Sequence, residues 1–466
     1  MSRSHAQSCF DVAVVGAGVV GCAIARRFTL EGAKVIVLEK APDILDGASK
    51  GNSGILHTGF DAPCGSLEQS CIASGYSEYL DIRERRGLPL IRSGALVLAW
   101  TEEEEARLPE LMQQARDNGV GDVEALTSDE ILRREPNLSR RVRAGFCVPR
   151  EFIIDPWSAP HAYLLQALTN GAELRRECEV LAGQFDGSAW RLETSAGEIA
   201  ATCVINAAGL YGDLVEQTLR GASDFHIRPR KGQFVVYDKA AAGLVKSILL
   251  PVPSATTKGI VVCRTAFGNL LVGPTAEEQT ARDEAVLVPE TLAQLQERGT
   301  QIVPALSGIE VSAIYAGLRP ATEFKDYQIR AHREINLITV GGIRSTGLSS
   351  ALGIARHVFS QYLELGHAPH ALTDPIWPTV AQISEAGERS WQTPCNDGVV
   401  CHCERVTRAE IEAALEGPLA PGSFAGLKRK TRVTMGRCQG FYCSAELARL
   451  TKDRLKHPMS GAPDDR

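Results

Sequence analysis

No apolar run in this chain reaches the roughly 20 residues that a membrane-spanning helix needs. Its first residues, Met1 to Phe10, are polar and lack the apolar stretch of a secretory signal. A basic surplus is also missing: 50 Lys and Arg stand against 56 Asp and Glu, a net charge of −6. That balance speaks against nucleic acid as the main partner. The absent apolar runs predict a cytosolic protein that reaches a membrane only through a partner. With 44% hydrophobic and 23% charged residues, the composition is that of a soluble globular chain, which excludes disorder, collagen-like fibre and coiled coil as descriptions of the whole. Its 466 residues predict about three domains, or one large domain with a small module.

Thirteen cysteines would suggest a disulfide framework in a small secreted domain, which this chain is not. Cys9, Cys22, Cys64, Cys71, Cys147, Cys178, Cys203 and Cys263 are scattered and expected to be reduced, most of them filling core. Cys395, Cys401, Cys403, Cys438 and Cys443 crowd together near the C-terminal end and need a separate explanation.

Near the N-terminus, Asp11–Val15 reads as a buried parallel strand. It runs into Gly16-Ala17-Gly18-Val19-Val20-Gly21, followed by helical composition over Cys22–Leu30 and a second strand, Lys34–Leu38, that ends in Glu39. Each part has a mechanical reason. Gly16 makes the tight turn, Gly18 lets the backbone approach a pyrophosphate, and Gly21 lets helix and strand pack closely. The helix N-terminus faces the phosphates, and Glu39 accepts the ribose hydroxyls. Strand, glycines, helix and acid stand in the order of a dinucleotide site. No second fingerprint follows, so one dinucleotide is expected, which disfavours enzymes that pass electrons between a nicotinamide and a flavin.

Later segments look like returns to the same site. Cys203–Leu214 reads as a strand, a small-residue turn and an acid; Ile335–Leu348 reads as a strand running into glycines, with helical composition over Ser349–Phe359. Six segments in order carry a family resemblance: Gly16–Gly21; Gly51-Asn52-Ser53-Gly54-Ile55-Leu56-His57-Thr58-Gly59; Ile205-Asn206-Ala207-Ala208-Gly209; Arg230-Lys231-Gly232-Gln233; Gly268–Thr275; and Gly317-Leu318-Arg319-Pro320. Over residues 10–370 the chain resembles the D-amino-acid-oxidase-like FAD flavoproteins, in the branch of glycerol-3-phosphate and L-2-hydroxyglutarate dehydrogenases.

The resemblance implies an α/β (α+β) fold. Its Rossmann-type FAD part is assembled from about 10–90, 146–220 and 326–370, with a mixed-sheet substrate part inserted at about 91–145 and 221–325. It further implies that FAD is held by Gly16, Gly18, Gly21, Glu39, Lys40, Ser49, Asn52, Ser53, Gly54, Ala208, Gly209, Gly342, Gly347 and Leu348. The helix after Leu348 is expected to point its N-terminus at the flavin pyrimidine, stabilising negative charge on the reduced ring.

A dehydrogenase of this kind moves a hydride from carbon to flavin while a base takes the neighbouring proton. His57 is the expected base, because imidazole titrates near working pH; the competing reading is a hydrogen-bonded core histidine. An anionic substrate needs fixed cations. By resemblance Arg319 takes its phosphate or carboxylate, unless it is a structural ion pair, and Lys258 and Ser345 match further substrate contacts. Arg264 departs from the family pattern, in which a proline is usual, and that leaves substrate identity open.

Residues 371–397, with Pro375 and Pro378, read as a linker. Beyond it, Cys401-His402-Cys403 and Cys438-Gln439-Gly440-Phe441-Tyr442-Cys443 bracket a module at 398–456, with 457–466 as a tail. Thr407-Arg408-Ala409-Glu410 is a capping box that opens a helix through Leu415, and a second helix is expected from Cys443 to Leu455. So small a module buries too little to be stable alone, so Cys401, Cys403, Cys438 and Cys443 are expected to share a metal. Zinc and iron–sulfur both accept four cysteines, but zinc favours C-x-x-C pairs. The module resembles the 2Fe-2S domain of bacterioferritin-associated ferredoxin, and more closely the version fused to anaerobic glycerol-3-phosphate dehydrogenases. Cys395 is expected to be a bystander. The basic run Lys428–Arg432 either offsets the cluster's charge, docks an acidic partner, or is simply solvated.

Together these features predict an FAD-dependent dehydrogenase. It would oxidise a small anionic alcohol, glycerol 3-phosphate first and a 2-hydroxy acid second, and pass electrons through a 2Fe-2S cluster to a protein subunit or quinone. The rival readings are a subunit of an amine or amino-acid (opine, proline or glycine) dehydrogenase complex and a non-catalytic redox relay or sensor.

Overall fold

The structure, a computed structural model, describes residues 9–253 and 259–459. It is a mixed α/β fold built on two large sheets, with a small C-terminal module of helices and one hairpin.

The first sheet grows from Phe10–Val15, a run buried on both faces except at Asp11. It pairs in parallel with Val35–Glu39 on one side and Gly197–Asn206 on the other, and the latter pairs in parallel with Leu337–Gly341. Glu173–Arg176 extends the sheet in parallel beyond Val35–Glu39, Gln328–His332 closes the opposite edge antiparallel, and the hairpin Val180–Phe185 and Trp190–Thr194 lies antiparallel on Gly197–Asn206. Alternation along the strands splits the core in two. Val12, Val14, Val35, Val37, Ile205 and Val340 face a layer of helices, whereas Ala13, Val15, Ile36, Leu38 and Val204 face Trp190 and Leu192 of the hairpin. Each such buried aliphatic side chain contributes about 1.5–3 kcal/mol.

The helix layer comprises Val19–Leu30, Leu67–Arg86, Ser158–Thr169 and Gly347–Glu364. The second and last of these touch backbone to backbone, since a Cβ on Gly353 would stand 2.1 Å from the Cys71 carbonyl oxygen. No helix among the described residues is long and apolar enough to cross a membrane.

The second sheet is mixed. Its longest pairing is Arg228–Tyr237 antiparallel with Val311–Ala321, which sets Arg230 opposite Arg319 and Gly232 opposite Gly317. Ala95–Ala99, Glu124–Thr127 and Ala144–Val148 belong to this sheet, so the last of them spans the boundary read at 145/146. Arg319 lies inside the strand, which continues to Ala321.

Residues 371–397 form no long element, yet they lie against the body instead of hanging between domains. Val380 N–H donates to the Arg86 carbonyl, Glu385 N–H to that of Ala266, and the Arg85 guanidinium lies 4.0 Å from the Trp377 ring centre. The module itself has the hairpin Val399–Cys401 and Val406–Thr407 and helices Arg408–Ala414, Phe424–Thr431 and Ser444–Thr451. The Thr407–Glu410 capping box is present. The middle helix, which carries most of the basic run, was not expected.

Asp43 fixes the module to the body. It is 5% exposed and accepts from Gly422 N–H at 2.7 Å, Ser423 N–H at 3.0 Å and the Ser423 hydroxyl at 2.5 Å, just before the helix Phe424–Thr431. Leaving buried donors without an acceptor costs about 1–3 kcal/mol. Asp43→Ala is therefore expected to lose the visible absorbance of the cluster at lower urea than the wild type, before the flavin is released, as read by absorbance and flavin fluorescence on one sample.

Candidate active site and iron–sulfur module

Three parallel neighbours end at one edge of the first sheet, level in register: Val15 lies beside Asn206, and Asn206 beside Thr339. The loops that leave them, at 16–21, 207–209 and 342–346, therefore meet although they are far apart in the chain, outside the carboxyl ends of the strands where α/β sheets bind ligands. Gly16 has φ +102°, and a Cβ on Gly21 would stand 1.9 Å from the Gly16 carbonyl oxygen. Both positions therefore demand glycine. The helix Val19–Leu30 has no acidic residue in its first turn; the Val19 N–H donates to the Ser49 hydroxyl at 3.0 Å. Glu39 accepts from Ala17 N–H at 2.8 Å and Ala41 N–H at 2.9 Å, and burial pushes its carboxyl pKa up.

A cavity runs from these loops to the second sheet. Of the residues expected at the cofactor and substrate, Gly18, Ser49, Asn52, Ser53, Gly209, Arg319, Gly342, Ser345, Gly347 and Leu348 line it. Gly16 and Gly21 shape the turn behind it. Gly54 lines an adjoining cavity instead. Ala208 stands back, between Ala207 and Gly209, which line the wall, and Lys40 sits over the Tyr211 ring, 3.2 Å from its centre. Lys258 lies outside the described residues. The wall carries Arg319 and Arg344 and, among the described residues, no acidic side chain.

Arg319 is half-buried and donates to three carbonyls, those of Arg230 at 3.4 Å, Lys231 at 3.2 Å and Thr275. No carboxylate pairs with it among the described residues. Burial, and Arg230 close by, pull its pKa down to about 10, which leaves it cationic at neutral pH.

His57 does not line the cavity. Its N–H donates to the Ser349 hydroxyl at 2.8 Å, in the first turn of the helix Gly347–Glu364, and its ring is 21% exposed. Its Nδ1 lies 2.8 Å from Glu151 Oε2, while Nε2 has no partner among the described residues. Glu151 is fully buried; its other oxygen accepts from Thr58 N–H at 2.6 Å and the Thr58 hydroxyl at 2.7 Å. Glu151 was not anticipated from the sequence. Its one trace there is an acid set directly before the apolar run Phe152-Ile153-Ile154.

In the module all four cysteines are free of disulfides; Cys401 and Cys443 are buried, Cys403 and Cys438 half-buried. The four thiols interact as one set, with Cys403 hydrogen-bonded to Cys438 and Cys401 to Cys443. A single tetrahedral zinc would hold all four within roughly 3.8 Å, whereas a two-iron cluster takes thiolates two by two. Backbone N–H groups of Tyr442, Gly440 and Phe441 pull the Cys438 thiol pKa down, favouring thiolate, while burial pushes Cys443 up to about 12. Cys395 is exposed and stands apart from the set.

The residues present fit both groups. A pyrophosphate meets a helix start with no acid beside it and a glycine at its cap, and the thiol pairs suit two irons.

Comparison with known proteins agrees. A family described as FAD dependent oxidoreductase matches residues 11–361, and one described as BFD-like 2Fe-2S binding domain matches 399–452. A glycerol 3-phosphate dehydrogenase of Caloramator mitchellensis is 30% identical over 465 residues, 98% of this chain and 96% of its own. The glycerol 3-phosphate oxidase of Mycoplasma pneumoniae is 30% identical over 356 residues, 74% of this chain and 92% of its own. Human mitochondrial L-2-hydroxyglutarate dehydrogenase is 27% identical over 292 residues, covering 59% and 62% of the two chains. Among solved structures, the dithionite-reduced L-α-glycerophosphate oxidase of M. pneumoniae with FAD bound superposes with a TM-score of 0.75 at 28% identity, covering 81% of this chain and all of that one. The chain belongs to the FAD dependent oxidoreductase family, binds FAD in its larger part and carries a 2Fe-2S module at its C-terminal end.

Proposed function

We propose that this dehydrogenase oxidises a small anionic alcohol, glycerol 3-phosphate in the first place and a 2-hydroxy acid in the second, and that electrons leave through the cluster to a partner subunit or quinone. One observation carries the substrate class. Arg319 is a half-buried cation without a carboxylate partner among the described residues, and it faces the cavity that the dinucleotide loops line. A cation so placed favours an anionic group on the substrate. The dehydrogenase of Caloramator mitchellensis, similar over nearly the full length of both chains, and the oxidase of Mycoplasma pneumoniae are both named for glycerol 3-phosphate.

The flavin, when bound, supplies the hydride acceptor, and the cluster supplies one-electron exit. The protein's own groups do the rest. Arg319, with Ser345 at the cavity rim, holds the substrate anion. His57, which stands outside the cavity wall, is assigned as the base for a hydroxyl that reaches its free Nε2, because Glu151 claims Nδ1 and so sets the tautomer and the ring orientation. Asn52, Ser53 and the loop at 342–348 are assigned to the isoalloxazine, and Gly18 and Ser49 to the pyrophosphate. Phe441 and Tyr442, 82% and 76% exposed on the loop between Cys438 and Cys443, mark the face that an electron acceptor would meet.

Three outcomes test this. Anaerobic glycerol 3-phosphate should bleach the flavin band, and Arg319→Leu should raise the concentration needed by about 10²-fold with FAD content unchanged, the worth of one or two charged hydrogen bonds. If neither glycerol 3-phosphate nor a 2-hydroxy acid bleaches it, the substrate class is wrong. Glu151→Gln is expected to lower kcat by ~10²-fold while KM moves little, the usual weight of a positioned base; loss of FAD instead would mean that Glu151 only braces the loop. Cys401→Ser should abolish iron and acid-labile sulfide yet leave substrate bleaching of the flavin intact, with reduction of a one-electron acceptor slowed.

A further inference from the structure

A second cavity, of about 410 Å3, shares the segment Gly51–Ser53 with the Arg319 cavity. Tyr315, in its wall, stacks on Phe234 of the other wall with ring centres 4.6 Å apart. It lies between the body and the iron–sulfur module. The body contributes Ile154, Trp157, Phe267 and Tyr315, and the module contributes Lys428, Arg429, Arg432, Met435 and Gln439.

Its charge is one-sided. Lys50, Lys428, Arg429 and Arg432 line it, and no acidic side chain does so among the described residues. Three carboxylates stand behind the wall: Asp155, buried between the lining residues Ile154 and Pro156 and acting on Arg432, and two that are shared between cations. Asp46 pairs with Arg429 at 3.1 Å and with Lys50 at 3.6 Å. Glu404 pairs with Arg432 at 2.9 Å and with Lys239 at 3.4 Å. Lys428 is half-buried and has no partner among the described residues; burial lowers its pKa. Arg429, 6% exposed, keeps a buried Nε without a hydrogen-bond partner. A half-buried cation without a partner, as Lys428 is, is costly unless an anion completes it.

The size and the other wall narrow the occupant. The volume falls within the roughly 300–1,000 Å3 of small-molecule sites and would take about a dozen waters at some 30 Å3 each, so a bare inorganic anion leaves most of it unfilled. Rings share the lining with the cations: Trp157 stacks on Phe267 at 5.5 Å, and the Arg432 guanidinium covers Phe267 at 3.9 Å. We propose that this cavity binds a phosphate monoester carried on a planar ring, a nucleoside monophosphate in size, with the phosphate on Lys428 and the ring against Trp157 and Tyr315. The site goes beyond the oxidation proposed above and does not depend on its substrate.

The test uses the full chain loaded with FAD and cluster. AMP, GMP, CMP and UMP are titrated by calorimetry beside ribose 5-phosphate and inorganic phosphate. At least one nucleotide is expected to bind once per chain, and about tenfold or more tighter than ribose 5-phosphate. Lys428→Gln should weaken that nucleotide about tenfold and Lys428→Arg should retain it, with FAD, iron and the KM for glycerol 3-phosphate unchanged. Arg319→Leu should leave nucleotide binding as it was. The proposal fails if none of the four nucleotides saturates, if ribose 5-phosphate binds as tightly, if Lys428→Gln has no effect, or if Arg319→Leu abolishes binding, which would place the ligand in the substrate cavity.

Discussion

The register of three parallel strands governs the chemistry of this protein. Phe10–Val15, Gly197–Asn206 and Leu337–Gly341 bury both faces and end level, so loops from three distant stretches of chain open at one edge. A slip of one residue would exchange the faces of a strand, turning Ala13 and Val15 toward the helices and Val12 and Val14 toward Trp190. Two helices begin at the same edge, at Val19 and Gly347, and neither has an acid in its first turn. Their positive ends, with Arg319 and Arg344, give a strongly cationic cavity in a chain whose net charge is −6. The surplus of acid is spent elsewhere on the surface, and the site keeps the opposite sign.

What could be read in the sequence was local. The dinucleotide turn is legible because strand, glycines, helix and acid all fall within some thirty residues, and each glycine has a steric reason that needs no distant partner. The Thr407–Glu410 capping box is legible for the same reason. Glu151 was not, because its role arises only when Ile55–Leu56 pairs with Phe152–Ile153 and brings Thr58 and His57 alongside it. Nothing in the spacing of residues 57 and 151 announces that pairing. The apparent linker also misled: Pro375 and Pro378 do prevent regular structure, but they do not prevent packing, and Trp377 finds three arginines, Arg26, Arg85 and Arg86.

The basic run of the module shows how composition misleads when tertiary contacts are unknown. Lys428–Arg432 suggested charge to offset the cluster, a handle for an acidic partner, or a solvated stretch. Most of it lies on the helix Phe424–Thr431 with its side chains turned inward. Arg429 goes to Asp46, Arg432 to Glu404 and Lys430 to the carbonyls of Ala414 and Leu419. The charge of Arg432 is already taken by the carboxylate next to Cys403, so little is left over for the cluster. The module is docked on the body through Asp43, through Arg176 to the Ala420 carbonyl and through Gln439 to that of Ser312.

Arg319 and His57 use buried polarity in opposite ways, and the contrast says what each is for. A structural arginine takes a carboxylate partner, as the buried Arg26 of the helix Val19–Leu30 does with Glu78 at 2.6 Å. Arg319 instead rests on neutral carbonyls, which fix its direction without cancelling its charge, so its field reaches into the cavity. For His57 the order is reversed. A carboxylate with no solvent exposure occupies one ring nitrogen and is itself held by Thr58 through two further hydrogen bonds. The ring therefore cannot rotate to offer Nδ1 without leaving a buried charge unsatisfied, a loss of several kcal/mol. Only Nε2 remains to exchange a proton. On the function proposed above, a cation kept unpaired and a base kept oriented are the two things that removing hydrogen from an anionic alcohol would ask of the residues at 57, 151 and 319.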